Sequence, residues 1–225
     1  MNWEKWRLIR ERTEHHNKWL VSTHLNRPFS NIITHLLLDT NVTPNQISVF
    51  TSLISFLIFL SYAYGDFVLG GLLTQTVSII DGVDGEIARV KNMRSRLGEV
   101  LDSVFDRLAE VLICVGIGLG VSATKGVSYA WPCSIISMIG FLADSYAAEL
   151  VKTRTKLPLY EAIKGLEERL GFSLSDRGLK MLIICVLSIF GFPEFGILIV
   201  GLISLLYVSV KFSLWIKCSR EVMNL

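Results

Sequence analysis

From residue 46 onward the chain is a succession of six apolar stretches, 46–64, 68–89, 98–122, 128–151, 178–193 and 195–216, parted by polar or charged intervals. Crossing a bilayer core takes about 20 helical residues. Runs of this length read as helices, because a membrane helix satisfies all of its own backbone groups. The expected fold is therefore all-α: a polytopic membrane protein of six transmembrane helices. The fifth stretch is the shortest, and its Gly191-Phe192-Pro193 ending predicts a tight turn into the sixth. With 51% hydrophobic and 19% charged residues over 225 positions, the composition is apolar for a soluble domain.

Residues 1–45 read as a separate, interfacial segment preceding the six-helix domain of residues 46–225. Trp3, Trp6, Trp19 and Leu20 are interleaved there with Lys5, Arg7, Arg10, Arg12 and Lys18. A second amphipathic run from Pro28 to Leu38 gathers Ile32, Ile33, Leu36 and Leu37 on one side. Basic-aromatic helices of this kind lie in the membrane interface rather than crossing it. No apolar core precedes Ile32, so a cleaved signal peptide is not expected.

Positive charge orients the chain. Of 22 Lys and Arg, 20 fall in the N-terminal region, the 89–97 loop, the 152–180 region or the C-terminal end. Arg107 lies inside the third helix, and only Lys125 falls on the opposite side. The positive-inside rule puts both termini, and the loop ends that share their charge, in the cytoplasm. The 152–177 segment, with Glu161, Lys164, Glu167 and Glu168, reads as a short solvated helix on that side. A net charge of +2 without a basic-aromatic surface pattern excludes a nucleic-acid partner. Four dispersed cysteines predict neither zinc site nor disulfide framework. His15, His16, His24 and His35 lack metal-ligand spacing and read as interfacial. Gly70, Gly71, Gly116, Gly118 and Gly120 read as close helix contacts, with Gly116-x-x-x-Gly120 a weak candidate for a homodimer face.

Against this apolar background stand Asp81 and Asp84 at the end of the second helix and Asp102 and Asp106 at the start of the third. An ionised carboxylate inside a membrane helix costs about 2.5–3.5 kcal/mol on insertion scales. Asp81, Asp84, Gly85 and Ala88 share one helical face by their spacing, and Gly98, Asp102 and Asp106 share another. Turned together, the two faces make an oxygen cage wide enough for one or two hard divalent cations. The small residues between them leave room for a ligand against the helix backbone. The competing reading has the aspartates capping helix ends and pairing with Arg89, Arg94, Arg96 and Arg107.

The full pattern, DxxDGxxAR, eight residues, then GxxxDxxxD, resembles the signature of the CDP-alcohol phosphotransferases, and every defining position is filled. That family moves a phosphoryl-alcohol group from a CDP-linked alcohol to the hydroxyl of a second alcohol and releases CMP. The resemblance implies that Asp81, Asp84, Asp102 and Asp106 hold Mg²⁺ or Mn²⁺, two ions, and that Asp106 also acts as base toward the acceptor. It implies a nucleotide site formed by Asn45, Asp81, Asp84, Gly85, Ala88, Arg89 and Gly98. The physical logic agrees, since metals neutralise a diphosphate and stabilise its leaving group while a carboxylate removes the attacking proton.

Substrate identity is less constrained. The stretch His24-Leu25-Asn26-Arg27-Pro28 with Val42-Thr43-Pro44-Asn45-Gln46 is similar to archaeal di-myo-inositol-phosphate-phosphate synthases, which implies CDP-inositol, or a CDP-lipid, as donor and inositol phosphate as acceptor. Arg94, Arg96, Asp144, Lys152, Arg154 and Arg177 are the candidate acceptor-binding residues. One departure bears on that pocket: Ser145-Tyr146 is followed by Ala147-Ala148-Glu149, where related enzymes carry arginines. The alternatives are a phospholipid synthase using CDP-diacylglycerol or an archaeal CDP-lipid with glycerol phosphate or serine, a prenyltransferase, and an ion-coupled transporter with the aspartates as a cation relay. The last fits poorly with carboxylates at the cytoplasmic end rather than the midplane.

Overall fold

In the computed structural model the described residues are 3–13, 21–154 and 176–223. Among them all regular structure is helical: α1 (Trp3–Thr13), a π-helical turn (Ser22–Asn26), α2 (Arg27–Leu37), α3 (Pro44–Ala63), α4 (Phe67–Val90), α5 (Arg96–Lys125), α6 (Ala130–Arg154), α7 (Arg177–Ile189) and α8 (Pro193–Met223). The expected helix over 152–177 falls mostly outside the described residues, as do His15, His16 and Trp19.

Among the described residues, four segments are long and apolar enough to cross a membrane by length and composition: Pro44–Ala63, Phe67–Val90, Ala130–Leu150 and Pro193–Ile216. The other two expected spans differ for different reasons. α5 has 30 residues, but its first turns carry the acidic and basic side chains of the motif. α7 has 13 residues, or roughly 20 Å of helix at 1.5 Å per residue, and leads through Gly191 (φ +82°) into Pro193, the tight turn expected from the sequence.

Local chemistry sets the helix ends. The Thr43 N–H donates to Gln46 Oε1 at 2.9 Å, and Pro44 opens α3 at a position that needs no N–H. Asp66 caps α4 through the Leu69 N–H (3.1 Å), and Ser95 caps α5 through the Gly98 N–H (3.0 Å). Gly126, at φ +64°, closes α5 in the left-handed conformation that a Cβ disfavours.

The core joins Ile58 and Tyr62 of α3 to Ile113, Ile117 and Val121 of α5, with Val77, Phe141, Ile184 and Val200 from the surrounding helices. Tyr62 is fully buried, and its hydroxyl meets Ser188 Oγ at 2.9 Å, so that hydroxyl is not stranded. The glycines of α5 are contact points. A Cβ on Gly120 would stand 1.8 Å from the Tyr62 carbonyl oxygen, and one on Gly116 would stand 2.9 Å from that of Phe59. The Gly116-x-x-x-Gly120 motif is therefore occupied by α3 of the same chain, which corrects its reading as a homodimer face.

Phe50, Leu53 and Leu57 of α3, Ile135 and Ile139 of α6, and Leu202 and Leu206 of α8 are exposed apolar side chains. α2 is arranged inside out: Phe29, Ile32 and Leu36 face outward while Ser30 and Thr34 are buried. Those two hydroxyls donate to the two oxygens of Glu86, at 2.6 and 2.5 Å, and dock α2 on α4. Lys5 pairs with Asp39, and Trp6 stacks on His35 at 5.1 Å, joining α1 to the end of α2.

Candidate active site

The turn between α4 and α5 brings the two halves of the motif together. Lys91 ties that turn to the α2–α3 connection by donating to the carbonyls of Leu37, Thr40 and Val42 at 3.3, 2.7 and 3.0 Å. Asn92 takes the left-handed conformation (φ +56°), which asparagine tolerates better than most residues. Across the turn, carboxylate oxygens of Asp81, Asp102 and Asp106 lie within 4.8 Å of one another. Asp84 stands beside Asp102 but outside that group. Its Oδ2 accepts from Ser48 Oγ at 2.6 Å, and its Oδ1 accepts from the Gly85 N–H.

Arg177, the first residue of α7, reaches into the cluster. Its Nη1 lies 2.6 Å from both Asp81 Oδ2 and Asp106 Oδ1, and its Nε lies 3.6 Å from Glu110 Oε1. Arg107 flanks the far oxygen of Asp106 at 3.7 Å. Buried Asp176 fixes the start of α7. It accepts from the Gly178 N–H (2.9 Å) and from the Val21 and Ser22 N–H groups (3.1 and 3.3 Å), so the N-terminal segment is bound to the same spot.

Two cavities flank the aspartates. The first, about 290 Å³, runs between Asn45 and Ser48 of α3, the Gly85-Ala88 face of α4, and Arg94, Gly98 and Asp102. A Cβ on Gly98 would come within 3.2 Å of Asn45 Oδ1, so glycine keeps this wall open. The second, about 430 Å³, is lined by Asp81, Asp102, Asp106, Glu110, Asp144 and Arg177 among others. Asp102 and Arg89 belong to both walls, so the cavities meet at the cluster.

Of the nucleotide-site expectations, Asn45, Asp84, Gly85, Ala88, Arg89 and Gly98 line the first cavity, while Asp81 lies on the second. The acceptor expectations divide. Arg177 and Asp144 line the second cavity, Arg94 lines the first, and Arg96 borders neither. The side chains of Lys152 and Arg154 lie outside the described residues. Asp144 is also no free hydroxyl acceptor: Lys180 and Lys211 donate to its two oxygens at 2.6 and 2.9 Å. The expected pairing of motif aspartates with neighbouring arginines is seen for Arg107 with Asp106, and a further partner, Arg177, comes from 96 residues beyond Asp81.

Sequence reasoning did not single out Ser48, Glu110, Lys180 or Lys211. A signal existed for Glu110, because Gly98, Asp102, Asp106 and Glu110 continue one four-residue step. No local pattern marks Ser48 or the two lysines, whose partners are distant in sequence. As for a metal, the converging groups are hard carboxylate oxygens already drawn around a cation, the Arg177 guanidinium. Such a donor set fits Mg²⁺ or Mn²⁺ and suits no soft metal.

Known proteins resemble the chain in both sequence and fold. Residues 41–164 match the family profile described as CDP-alcohol phosphatidyltransferase. The bifunctional IPC transferase and DIPP synthase of Rubrobacter xylanophilus is 33% identical over 182 residues, covering 80% of this chain and 39% of that protein. The chain thus spans about two fifths of that relative's length. The archaetidylinositol phosphate synthase of Pyrococcus horikoshii is 28% identical over 171 residues, 75% of this chain and 80% of that protein. In fold, the chain resembles the phosphatidylinositol phosphate synthase of Mycobacterium tuberculosis solved with CDP-DAG bound, with TM-score 0.63 and 17% identity over 84% of this chain and 94% of that one. The same enzyme solved with manganese and citrate aligns with TM-score 0.61 and 19% identity, over 83% and 88% of the two chains. With the motif complete, its aspartates gathered between two cavities and the profile covering more than half of its length, this chain belongs to the CDP-alcohol phosphatidyltransferase family.

Proposed function

We propose that the chain is an integral-membrane transferase that moves a phosphoryl-alcohol group from CDP-inositol, or a CDP-lipid, to a hydroxyl of inositol phosphate and releases CMP. One observation carries this reading: two cavities meet at the aspartate cluster, so a donor in one and an acceptor in the other would share a reacting centre. The cytidine end occupies the first cavity, against Asn45, Gly85, Ala88 and Gly98, while Ser48 holds Asp84 in place. The acceptor occupies the second, its phosphate drawn to Arg177 and Arg107 by charge-assisted bidentate contacts.

In the transfer, the acceptor oxygen forms a bond to the phosphorus that carries the donor alcohol. The bond from that phosphorus to the CMP oxygen breaks, and CMP leaves with the electron pair. Asp106 takes the acceptor proton, a role worth about 10²–10⁴ in rate for a well-placed base. Mg²⁺ or Mn²⁺ held by Asp81, Asp84, Asp102 and Asp106 would neutralise the diphosphate and stabilise the leaving group.

Six spans, with residues 1–45 as an interfacial segment, complete the proposal. The outward apolar face of α2 supports an interfacial α2, and the clustering of Lys and Arg at the aspartate end supports a site and both termini facing the cytoplasm. A phospholipid synthase using CDP-diacylglycerol is the second reading, favoured by the exposed apolar sides of the helices that frame the donor cavity. The test is CMP release from CDP-inositol and CDP-diacylglycerol with inositol phosphate, glycerol phosphate or serine, with Mg²⁺ or Mn²⁺. CMP formed only with inositol phosphate supports the acceptor, and CMP formed only with serine or glycerol phosphate overturns it.

A further inference from the structure

The second cavity contains a buried carboxylate that the described residues leave without a full set of hydrogen bonds. Glu110 is 4% exposed and lines the wall with Asp144, Ser145 and Lys180. Its Oε1 lies 3.6 Å from Arg177 Nε, and its Oε2 has no hydrogen-bond partner. The other two buried carboxylates in the lining are satisfied at both oxygens, Glu86 by the hydroxyls of Ser30 and Thr34, and Asp144 by Lys180 and Lys211. Arg177 Nε, beside Oε1, also has no hydrogen-bond partner among the described residues, but it faces the other oxygen, so Oε2 on the cavity wall has room for a donor from a ligand.

The surroundings decide which donor. An anion is repelled by Glu110 itself. A second cation is disfavoured, because Arg177 and Lys180 already stand on this wall and Glu110 is not among the carboxylates that converge. An acceptor ammonium is disfavoured on the same ground. A neutral hydroxyl remains, and a carboxylate accepts it readily. Glu110 also sits one turn of α5 beyond Asp106, about 6 Å along the helix axis. A hydroxylated ring can bridge that interval, with one hydroxyl at Asp106, another at Glu110 and its phosphate turned toward Arg177 and Arg107.

We infer that Glu110 accepts a hydrogen bond from a hydroxyl of the acceptor and so selects a cyclic polyol phosphate over smaller phosphates. The inference rests on the acceptor reading proposed above and names the residue that would enforce it. Glu110 then acts on specificity rather than on the chemical step.

The experiment measures binding of inorganic phosphate, glycerol phosphate and inositol phosphate to the full chain in detergent, for the wild type, Glu110→Gln and Glu110→Asp, alongside acceptor KM and kcat. Wild type should prefer inositol phosphate to the other two. Glu110→Gln should weaken inositol phosphate binding about tenfold, the scale of one charge-assisted hydrogen bond, and raise its KM equally. Its affinity for inorganic phosphate should hold or rise, with kcat and donor KM within about twofold, a change too small to count as a lost contact. Glu110→Asp, which keeps the charge, should recover part of the preference and covers the case of a Gln variant that does not fold. An equal loss for all three ligands would show that Glu110 only holds Arg177 and would overturn the inference. Unchanged inositol phosphate binding, as when a water fills the place, would overturn it too. A wild type without preference would instead sink the acceptor reading itself.

Discussion

Two ionic clusters sit one helical turn apart on α7, one around Arg177 and the other around Lys180, and they are built on opposite plans. Around Lys180, Asp144 faces two ammonium groups, each of its oxygens is filled, and all three residues are less than a tenth exposed. Around Arg177, one guanidinium faces Asp81, Asp106 and Glu110, with Asp102 close by and Arg107 flanking Asp106. The first cluster closes on itself and joins α6, α7 and α8. The second carries more carboxylates than cations in a low-dielectric setting, an arrangement that a cation arriving from outside would relieve. Buried charge of similar strength thus serves cohesion in one place and, in the proposed function, chemistry in the other.

Substitutions should separate the two. Asp106→Asn removes the proposed base and should lower CMP release by about 10²–10⁴-fold, while melting in detergent stays near that of the wild type and CDP still binds. Asp144→Ala strands two buried ammonium groups and should cost about 3–5 kcal/mol of stability, read as a fall in melting temperature. The contrast breaks if Asp106→Asn unfolds the protein or Asp144→Ala leaves stability intact. A smaller effect tests the packing beneath both clusters: Gly120→Ala forces a methyl into the Tyr62 carbonyl and should cost about 1–3 kcal/mol, again in melting temperature. Smallest of all, Ser48→Ala removes one hydrogen bond to Asp84 and should raise donor KM about fivefold, near 1 kcal/mol. A larger rise for the acceptor than for the donor would move Asp84 to the other cavity.

The motif side of this comparison was legible in the sequence, and the other side was not. Asp81, Asp84, Asp102 and Asp106 declare themselves by helical spacing within apolar runs, and the small residues Gly85, Ala88 and Gly98 mark the open wall. The turn at Gly191-Phe192-Pro193 was legible for the same local reason. Arg177 could be flagged as a cation near the site, yet its pairing with Asp81 spans 96 positions and depends on how α7 docks. Asp144 looked like a hydroxyl-binding group because Lys180 and Lys211 meet it only in three dimensions. Long-range charge pairing leaves no periodic trace. The glycines of α5 were recognised as contact points, but which helix they touch is decided by packing against Tyr62 and Phe59.

The account stands or falls on CMP release. Purified protein in detergent is given CDP-inositol or CDP-diacylglycerol with inositol phosphate, with Mg²⁺ or Mn²⁺ and then with excess chelator, in the wild type and in Asp106→Asn. The account predicts CMP in step with a phosphodiester product in the wild type, its loss on chelation and return on adding metal, and none above background in the variant. No CMP from either donor, accompanied by ion flux in proteoliposomes that depends on the same aspartates, would contradict it.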